Sequence, residues 1–252
     1  MSIHAIDSGT DAVTQAKIDL AAALRLAVVH QLEEGIDNHF TVTLPGHEDR
    51  FLVLPFGLHW SEARASDMIV FDEAGETLDG DGLVELSAQC IHAPIHRITG
   101  RRVVLHTHQN WALALNMLED NRLVPASQTA AFFDGNIAYD DHYGGLADTT
   151  AEGERLAGLI GDREIVFLKN HGVLVASDSV ARAYRLLYLL ERVCRAQICA
   201  LSSGQKLQPI AAEIITSVQS PDPRDRHQGQ RDDLYFAAMK RVLDRQMPGY
   251  AD

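Results

Sequence analysis

The stretch Glu164-Ile165-Val166-Phe167-Leu168-Lys169-Asn170-His171-Gly172-Val173-Leu174-Val175-Ala176 reads as two short strands, residues 164–168 and 173–176, around a four-residue polar turn. β-Branched and aromatic side chains fill both halves, which marks them as buried strands, and a turn this tight joins antiparallel neighbours. Working outward, residues 151–159 form a helix that Gly161 ends, and residues 179–201 form a long helix rich in Leu and Arg. Further upstream, residues 102–106 are a strand built on Val103, Val104 and Leu105, followed by a helix over 111–118.

The first third of the chain supplies a helix over 10–34, with Gly35 as its stop, and then short strands at 40–44, 51–54 and 68–71. Residues 86–98 have a helical pattern with Pro94 inside it, which either kinks or splits the helix. Near the end, a surface loop over 217–230 leads to a last helix at about 232–245. Strands and helices are mixed and neighbouring strands look antiparallel, so the fold class is α/β.

At roughly 150 residues per domain, 252 residues allow one large domain or two small ones, and the 46% apolar content can fill one large core. No linker, repeat or low-complexity tract divides the chain. Residues 1–252 are therefore read as one domain, with 217–252 as its C-terminal loop and helix. Acidic residues number 35 against 22 Lys and Arg, a net charge of −13, which repels a phosphate backbone and argues against nucleic acid as a partner. The apolar runs are broken by Arg25 and by Glu191-Arg192, short of the roughly 20 residues of a membrane span, and no basic-then-apolar leader is present. Three cysteines, Cys90, Cys194 and Cys199, cannot close a disulfide framework, which fits the cytoplasm. Twelve histidines invite a search for metal or proton chemistry.

In His106-Thr107-His108 the imidazoles stand at i and i+2, on one face of a strand, so both can reach one ion. The same pattern also suits two hydrogen-bonded histidines at a strand end. His171 precedes Gly172, a residue free to take backbone angles that others avoid and so to aim the preceding imidazole inward. His92 and His96, at i and i+4, share a helix face, either as a second metal pair or with His92 packed against the sheet.

Taken together, Ile91-His92-Ala93-Pro94-Ile95-His96-Arg97, Val103-Val104-Leu105-His106-Thr107-His108, Phe167-Leu168-Lys169-Asn170-His171-Gly172-Val173-Leu174 and Leu190-Glu191-Arg192 resemble the class II aldolase/adducin family. The resemblance covers nearly the whole chain. It implies a three-layer α/β/α sandwich with a central, mainly antiparallel sheet, a homo-oligomer that is usually a tetramer, and an active site near a subunit boundary. It also implies a divalent metal ion, zinc with manganese or iron as alternatives, on His106, His108 and His171. Three neutral imidazoles leave coordination positions open for a small hydroxy-carbonyl or carboxylate substrate, and the ion then draws off charge as a carbon–carbon bond is cleaved. The implied activity is a metal-dependent lyase, by aldol-type cleavage or decarboxylation. Two alternatives stand beside it: a non-heme iron oxygenase on the same three histidines, and a non-catalytic interaction domain like the family's adducin heads.

The chain departs from the family's aldolase pattern in ways that shape the expectation. The aldolases carry a catalytic glutamate four residues before the histidine matching His92, and Ala88 stands there, next to Ser87. Glu85, three residues upstream, is the nearest carboxylate, either as the catalytic acid/base or as a solvated acid at a helix start. The segment matching the phosphate loop, residues 35–43, keeps Asn38 and Thr41 as candidate substrate-binding groups but lacks the arginine expected near Thr43. Pro55-Phe56-Gly57 keeps the family's Pro-x-Gly turn, with Phe56 in place of a small hydroxyl residue and Trp60 adding a ring close by. Phe56, Gly57 and Ser87 join the candidate substrate contacts, and a substrate other than a sugar phosphate is expected. Tyr139 or His142 lies where the aldolases place a proton-donating tyrosine. Tyr235 or Tyr250 matches a C-terminal tyrosine that the family sends to a neighbouring subunit's site.

Overall fold

Strand β5 (Val103–Thr107) is central because both its edges pair antiparallel, with β1 (His39–Thr43) on one side and β8 (Gly172–Ser177) on the other. Around it the computed structural model, which describes residues 10–222 and 224–252, builds a sheet in the order β4-β3-β2-β1-β5-β8-β7-β6. The remaining strands are β2 (Arg50–Val53), β3 (Ile69–Asp72), β4 (Thr77–Asp79), β6 (Ile137–Asp140) and β7 (Ile165–Leu168). All neighbours are antiparallel except β6 and β7, which run parallel.

The helices are α1 (Thr10–Val29), α2 (Ala93–Thr99), α3 (Asn110–Asn116), α4 (Gln128–Ala131), α5 (Thr150–Ile160), α6 (Val180–Leu201), α7 (Ala212–Gln219) and α8 (Arg231–Gln246). Strand alternation sorts them into layers. Phe40, Val42, Val103, Leu105, Val173 and Val175 face a core shared with Leu20 and Leu24 of α1, Tyr184 and Leu187 of α6, and Phe236 and Leu243 of α8. The alternate positions Val104, Val166, Leu174 and Ala176 face Ile91, Ile95 of α2, and Leu156 and Ile160 of α5. The result is an α/β/α sandwich. At about 1.5–3 kcal/mol for each large apolar side chain fully buried, these two faces supply the main drive to fold.

The expected helix over 86–98 is split. Residues Ala88–His92 form a turn of π-helix, and α2 starts at Ala93 with Pro94 in its first turn. Pro94 has no N–H to offer the Cys90 carbonyl four residues back, so a regular α-pattern cannot run through it. That carbonyl instead lies against α5, where a Cβ on Gly153 would come within 2.2 Å of it.

Three further expectations change. α1 stops at Val29 rather than at residue 34, because Gln31 takes a left-handed φ of 57° and the Leu32 N–H turns back to the Ala27 carbonyl at 2.9 Å. β4 and β6 lie in stretches to which the sequence assigns no element: β4 is three exposed residues, and β6 is a four-residue edge strand, both too short to print a period. α7 occupies the start of the expected loop over 217–230. Residues 1–9 and Pro223 of the expected domain lie outside the described residues. Among the described residues no helix is long and apolar enough to cross a membrane.

Candidate metal centre

His106 is the fourth residue of β5 and points to the α2 face of the sheet, while His108 follows the strand end. His171 sits in the β7–β8 turn. The three rings form a near-equilateral triangle, with centroids 4.9 Å apart for His106–His108 and 4.8 Å for the other two pairs. Their ligand atoms all lie within 4.8 Å of one another.

The hydrogen bonds on the far side of two rings fix which nitrogen is free. Nδ1 of His106 donates to the Val173 carbonyl at 3.0 Å, and Nδ1 of His108 donates to the Glu34 carboxylate at 2.5 Å. In neutral rings both Nε2 atoms are then bare, and they face each other at 3.1 Å. Two lone pairs that close cannot satisfy each other, and a shared cation resolves the contact. The residues therefore fit a divalent metal ion, with the outer partners that metal-binding imidazoles need. Burial, with the neighbouring imidazoles, holds His106 well below its ordinary pKa, and burial pushes His171 down to about 4, which keeps both rings neutral at physiological pH.

The supports of this triangle come from elements far apart in sequence. Asn116 of α3 donates from Nδ2 to the Gly172 carbonyl at 2.7 Å and so holds the His171 turn. Asn170, not Gly172, takes the left-handed backbone of that turn, with φ of 57°. Gly172 is needed for space instead: a Cβ there would stand 2.5 Å from the Thr107 carbonyl oxygen and 2.9 Å from the His108 ring. Glu191 of α6 accepts the N–H groups of Trp111 and Ala112 at 2.9 and 3.0 Å, which caps α3 immediately after His108.

Glu85 opens the helical segment, its carbonyl accepting the Gln89 N–H, and its side chain turns inward. Ser87 Oγ lies 2.6 Å from both Glu85 carboxylate oxygens and 2.9 Å from His39 Nε2, while that nitrogen is 3.2 Å from Glu85 Oε2. One serine hydrogen thus faces two acceptors. The His39 ring packs against His106 with centroids 5.1 Å apart. Phe56, 45% exposed, and Gly57, with φ of 101°, share with His39 and Glu85 the lining of a small cavity of about 20 Å³.

Other expected contacts fall elsewhere. Thr41 is fully buried, its hydroxyl spent between His92 Nδ1 at 2.7 Å and His96 Nε2 at 2.8 Å, so it has no surface for a substrate. The His92 and His96 rings are likewise tied to Thr41 rather than forming a metal pair. Asn38 is 4% exposed and uses Oδ1 to accept the N–H groups of Glu34 and His108, at 2.9 and 3.3 Å, which makes it a brace for His108. Tyr139 lies on β6, paired with Phe167 on the sheet face opposite His106, where its hydroxyl accepts the Leu123 N–H at 3.0 Å. From the same segment it is Tyr143 that reaches the triangle, its ring centroid 6.4 Å from that of His171. Tyr235 packs on Tyr188 with Arg185 over its ring, and Tyr250 is buried with its hydroxyl donating to Asp244 at 2.9 Å. Trp60 is 2% exposed and packs on Phe40, so its ring belongs to the core.

Known proteins resemble this chain in sequence and in fold. Residues 18–198 match the model of the class II aldolase and adducin N-terminal domain. A Pseudomonas aeruginosa protein provisionally named an aldolase class 2 protein is 32% identical over 240 residues, covering 94% of this chain and 92% of its own. The 4-hydroxy-3-prenylphenylpyruvate oxygenase/4-hydroxy-3-prenylbenzoate synthase of Streptomyces roseochromogenus is 31% identical over 185 residues, 72% of this chain and 66% of its own. The crystal structure of an aldolase II superfamily protein from Pseudomonas syringae superposes with a TM-score of 0.88 at 32% identity, covering 98% of each chain.

Proposed function

This chain belongs to the class II aldolase and adducin family, and on that premise we propose that it is a metal-dependent carbon–carbon lyase. Its substrate is a small hydroxy-carbonyl or carboxylate compound, cleaved in an aldol sense or decarboxylated. The observation that carries the reading is the 3.1 Å approach of the Nε2 atoms of His106 and His108, with the His171 ring completing the triangle. An ion on these three imidazoles supplies Lewis acidity for a substrate oxygen. Zinc suits the all-imidazole set, and manganese and iron are the alternatives.

The proton work falls to this chain's own side chains. Glu85 Oε2, beside Ser87 and His39, takes up or returns the substrate proton in the absence of a carboxylate at Ala88. Tyr143, half exposed beside His171, replaces Tyr139 as the candidate donor to the leaving group. Phe56 at the rim, and the loss of Thr41 to internal bonds, support a substrate without a phosphate. The proposal includes a cytoplasmic homotetramer without nucleic-acid or membrane partners. Unpaired cysteines at 90, 194 and 199 support the location, and the family resemblance supports the assembly.

Elemental analysis of protein purified without chelators, beside His106→Ala, tests the centre. About one divalent ion per chain is expected in the parent and loss of it in the variant; a metal-free parent that stays metal-free on adding zinc, manganese or iron overturns the reading. Small keto and hydroxy acids are then screened for carbon dioxide or aldehyde release, with Glu85→Gln expected to lower kcat by about 10²–10⁴-fold. The Streptomyces relative, named an oxygenase, favours a second reading in which iron at the same histidines consumes dioxygen. Iron as the resident metal together with substrate-dependent oxygen uptake selects that reading over the lyase.

A further inference from the structure

Behind the metal triangle runs an unbroken file of buried polar side chains. His39 Nδ1 lies 2.8 Å from His92 Nε2, His92 Nδ1 lies 2.7 Å from Thr41 Oγ1, and Thr41 Oγ1 lies 2.8 Å from His96 Nε2. The file ends where His96 Nδ1 meets the Arg101 carbonyl at 2.6 Å, with Thr43 Oγ1 at 3.2 Å beside it. All four of its side chains are buried, with 5% exposure for His39, 0% for His92 and Thr41, and 3% for His96. The polar positions follow from strand period: residues 39, 41 and 43 of β1 share one face, and His92 and His96 come down onto it from the π-turn and α2.

The chain of bonds permits one direction only. A carbonyl accepts and never donates, so His96 Nδ1 carries the hydrogen that faces Arg101. A neutral His96 then has a bare Nε2, which accepts the Thr41 hydroxyl hydrogen. With its one hydrogen spent, Thr41 Oγ1 accepts from His92 Nδ1. His92 Nε2 is therefore bare and accepts from His39 Nδ1, and that leaves His39 Nε2 as a lone pair aimed at Ser87 and Glu85. Reversing any link places a lone pair against a lone pair at the next one. None of the rings changes charge in this account; burial keeps all three neutral, with His39 pushed down to about 3 and His96 to about 4.

We propose that Thr41, His92 and His96 are positioning residues that lock His39 in its Nδ1-protonated tautomer, so that a hydrogen-bond acceptor is always presented to the Glu85–Ser87 pair. While Glu85 is a carboxylate it accepts the Ser87 hydrogen; when it holds the substrate proton, the Glu85 hydroxyl donates to Ser87 Oγ and the Ser87 hydrogen turns to His39 Nε2. The proposal rests on the reading of Glu85 as the proton-transfer group but is measured without it. The direction is dictated at Arg101, five polar groups away from Glu85, which is why a buried threonine in this place matters to the site.

The test is nitrogen NMR of the full chain labelled with 15N-histidine, zinc-loaded and again after chelation, for the parent, Thr41→Ser and Thr41→Val. In the parent and in Thr41→Ser, His39 is expected to show a protonated Nδ1 and a bare Nε2. Thr41→Val keeps the volume and removes the link, so His92 is free to turn over and the other tautomer of His39 is expected to rise at least several-fold. A protonated Nε2 on His39 in the parent overturns the proposal, as does a folded Thr41→Val with the parent's tautomers. Should Thr41→Val fail to fold, as judged by circular dichroism, the parent and Thr41→Ser spectra still decide. Full activity in Glu85→Gln with the expected tautomers would sink the role of Glu85 and leave the lock standing; the converse pattern would sink the lock alone.

Discussion

Glu34 shows how one exposed carboxylate can govern a metal centre it never touches. It stands at 2.5 Å from His108 Nδ1, and by taking that ring's hydrogen it leaves Nε2 free and raises its basicity. Replacing Glu34 by Gln keeps the shape and weakens the acceptor, so zinc affinity is expected to fall about 10–100-fold with little change in folding. Competition with a fluorescent chelator measures this, and an unchanged affinity would show that the contact does not orient the ring. The His106–His108 pair was legible in the sequence because i, i+2 spacing on a strand is a local signal. Glu34 was not, because its partner lies 74 residues away and α1 had to end early, at a left-handed Gln31, to deliver it. His39 was hidden in the same way: only the pairing of β1 with β5 sets it opposite His106.

At the scale of elements, α3 and α6 act as the bracket for the centre. α3 is seven residues long, begins two residues after His108, and reaches with Asn116 to the His171 turn. A helix so short has little stability of its own, so the Glu191 carboxylate on its first N–H groups decides whether it forms. Burial raises the Glu191 pKa, the cost of placing an acid there, while the two N–H bonds oppose that shift. Glu191→Ala leaves both donors without a partner and is expected to cost about 2–3 kcal/mol in urea unfolding, with metal content falling alongside. A change below about 0.5 kcal/mol would place Glu191 among ordinary surface residues and remove the bracket from the account. The main strands and long helices were legible from periodicity, and so was the sandwich. The π-turn was only half legible: Pro94 announced an interruption, but its form depends on the approach of α5 at Gly153, a tertiary contact.

For the molecule as a whole, the sheet face toward α2 seals imidazoles into a layer that elsewhere is apolar, and this makes the fold acid-sensitive. His92 and His96 are buried neutral, His92 well below its ordinary pKa and His96 at about 4, with burial the largest cause in each. In the unfolded chain both titrate near 6.5. Below that pH the unfolded state binds protons that the folded state refuses, so stability is full above about pH 6.5 and drains away as pH falls toward 4. Each group contributes a slope of about 1.4 kcal/mol per pH unit once the unfolded histidine is charged, about 3 kcal/mol per unit for these two together, and His39, His106 and His171, held low by burial in the same way, add to it. A domain holds only about 5–15 kcal/mol in total, so two units of acidification are enough to approach unfolding. Urea midpoints measured from pH 7.5 to 4.5 are expected to fall steeply on the acid side, and His96→Gln, which cannot charge, should remove one ring's share of the slope, about 1.4 kcal/mol per pH unit, while lowering the plateau. A midpoint that stays level between pH 7 and 5 would mean that the layer opens to water and that these rings titrate in place.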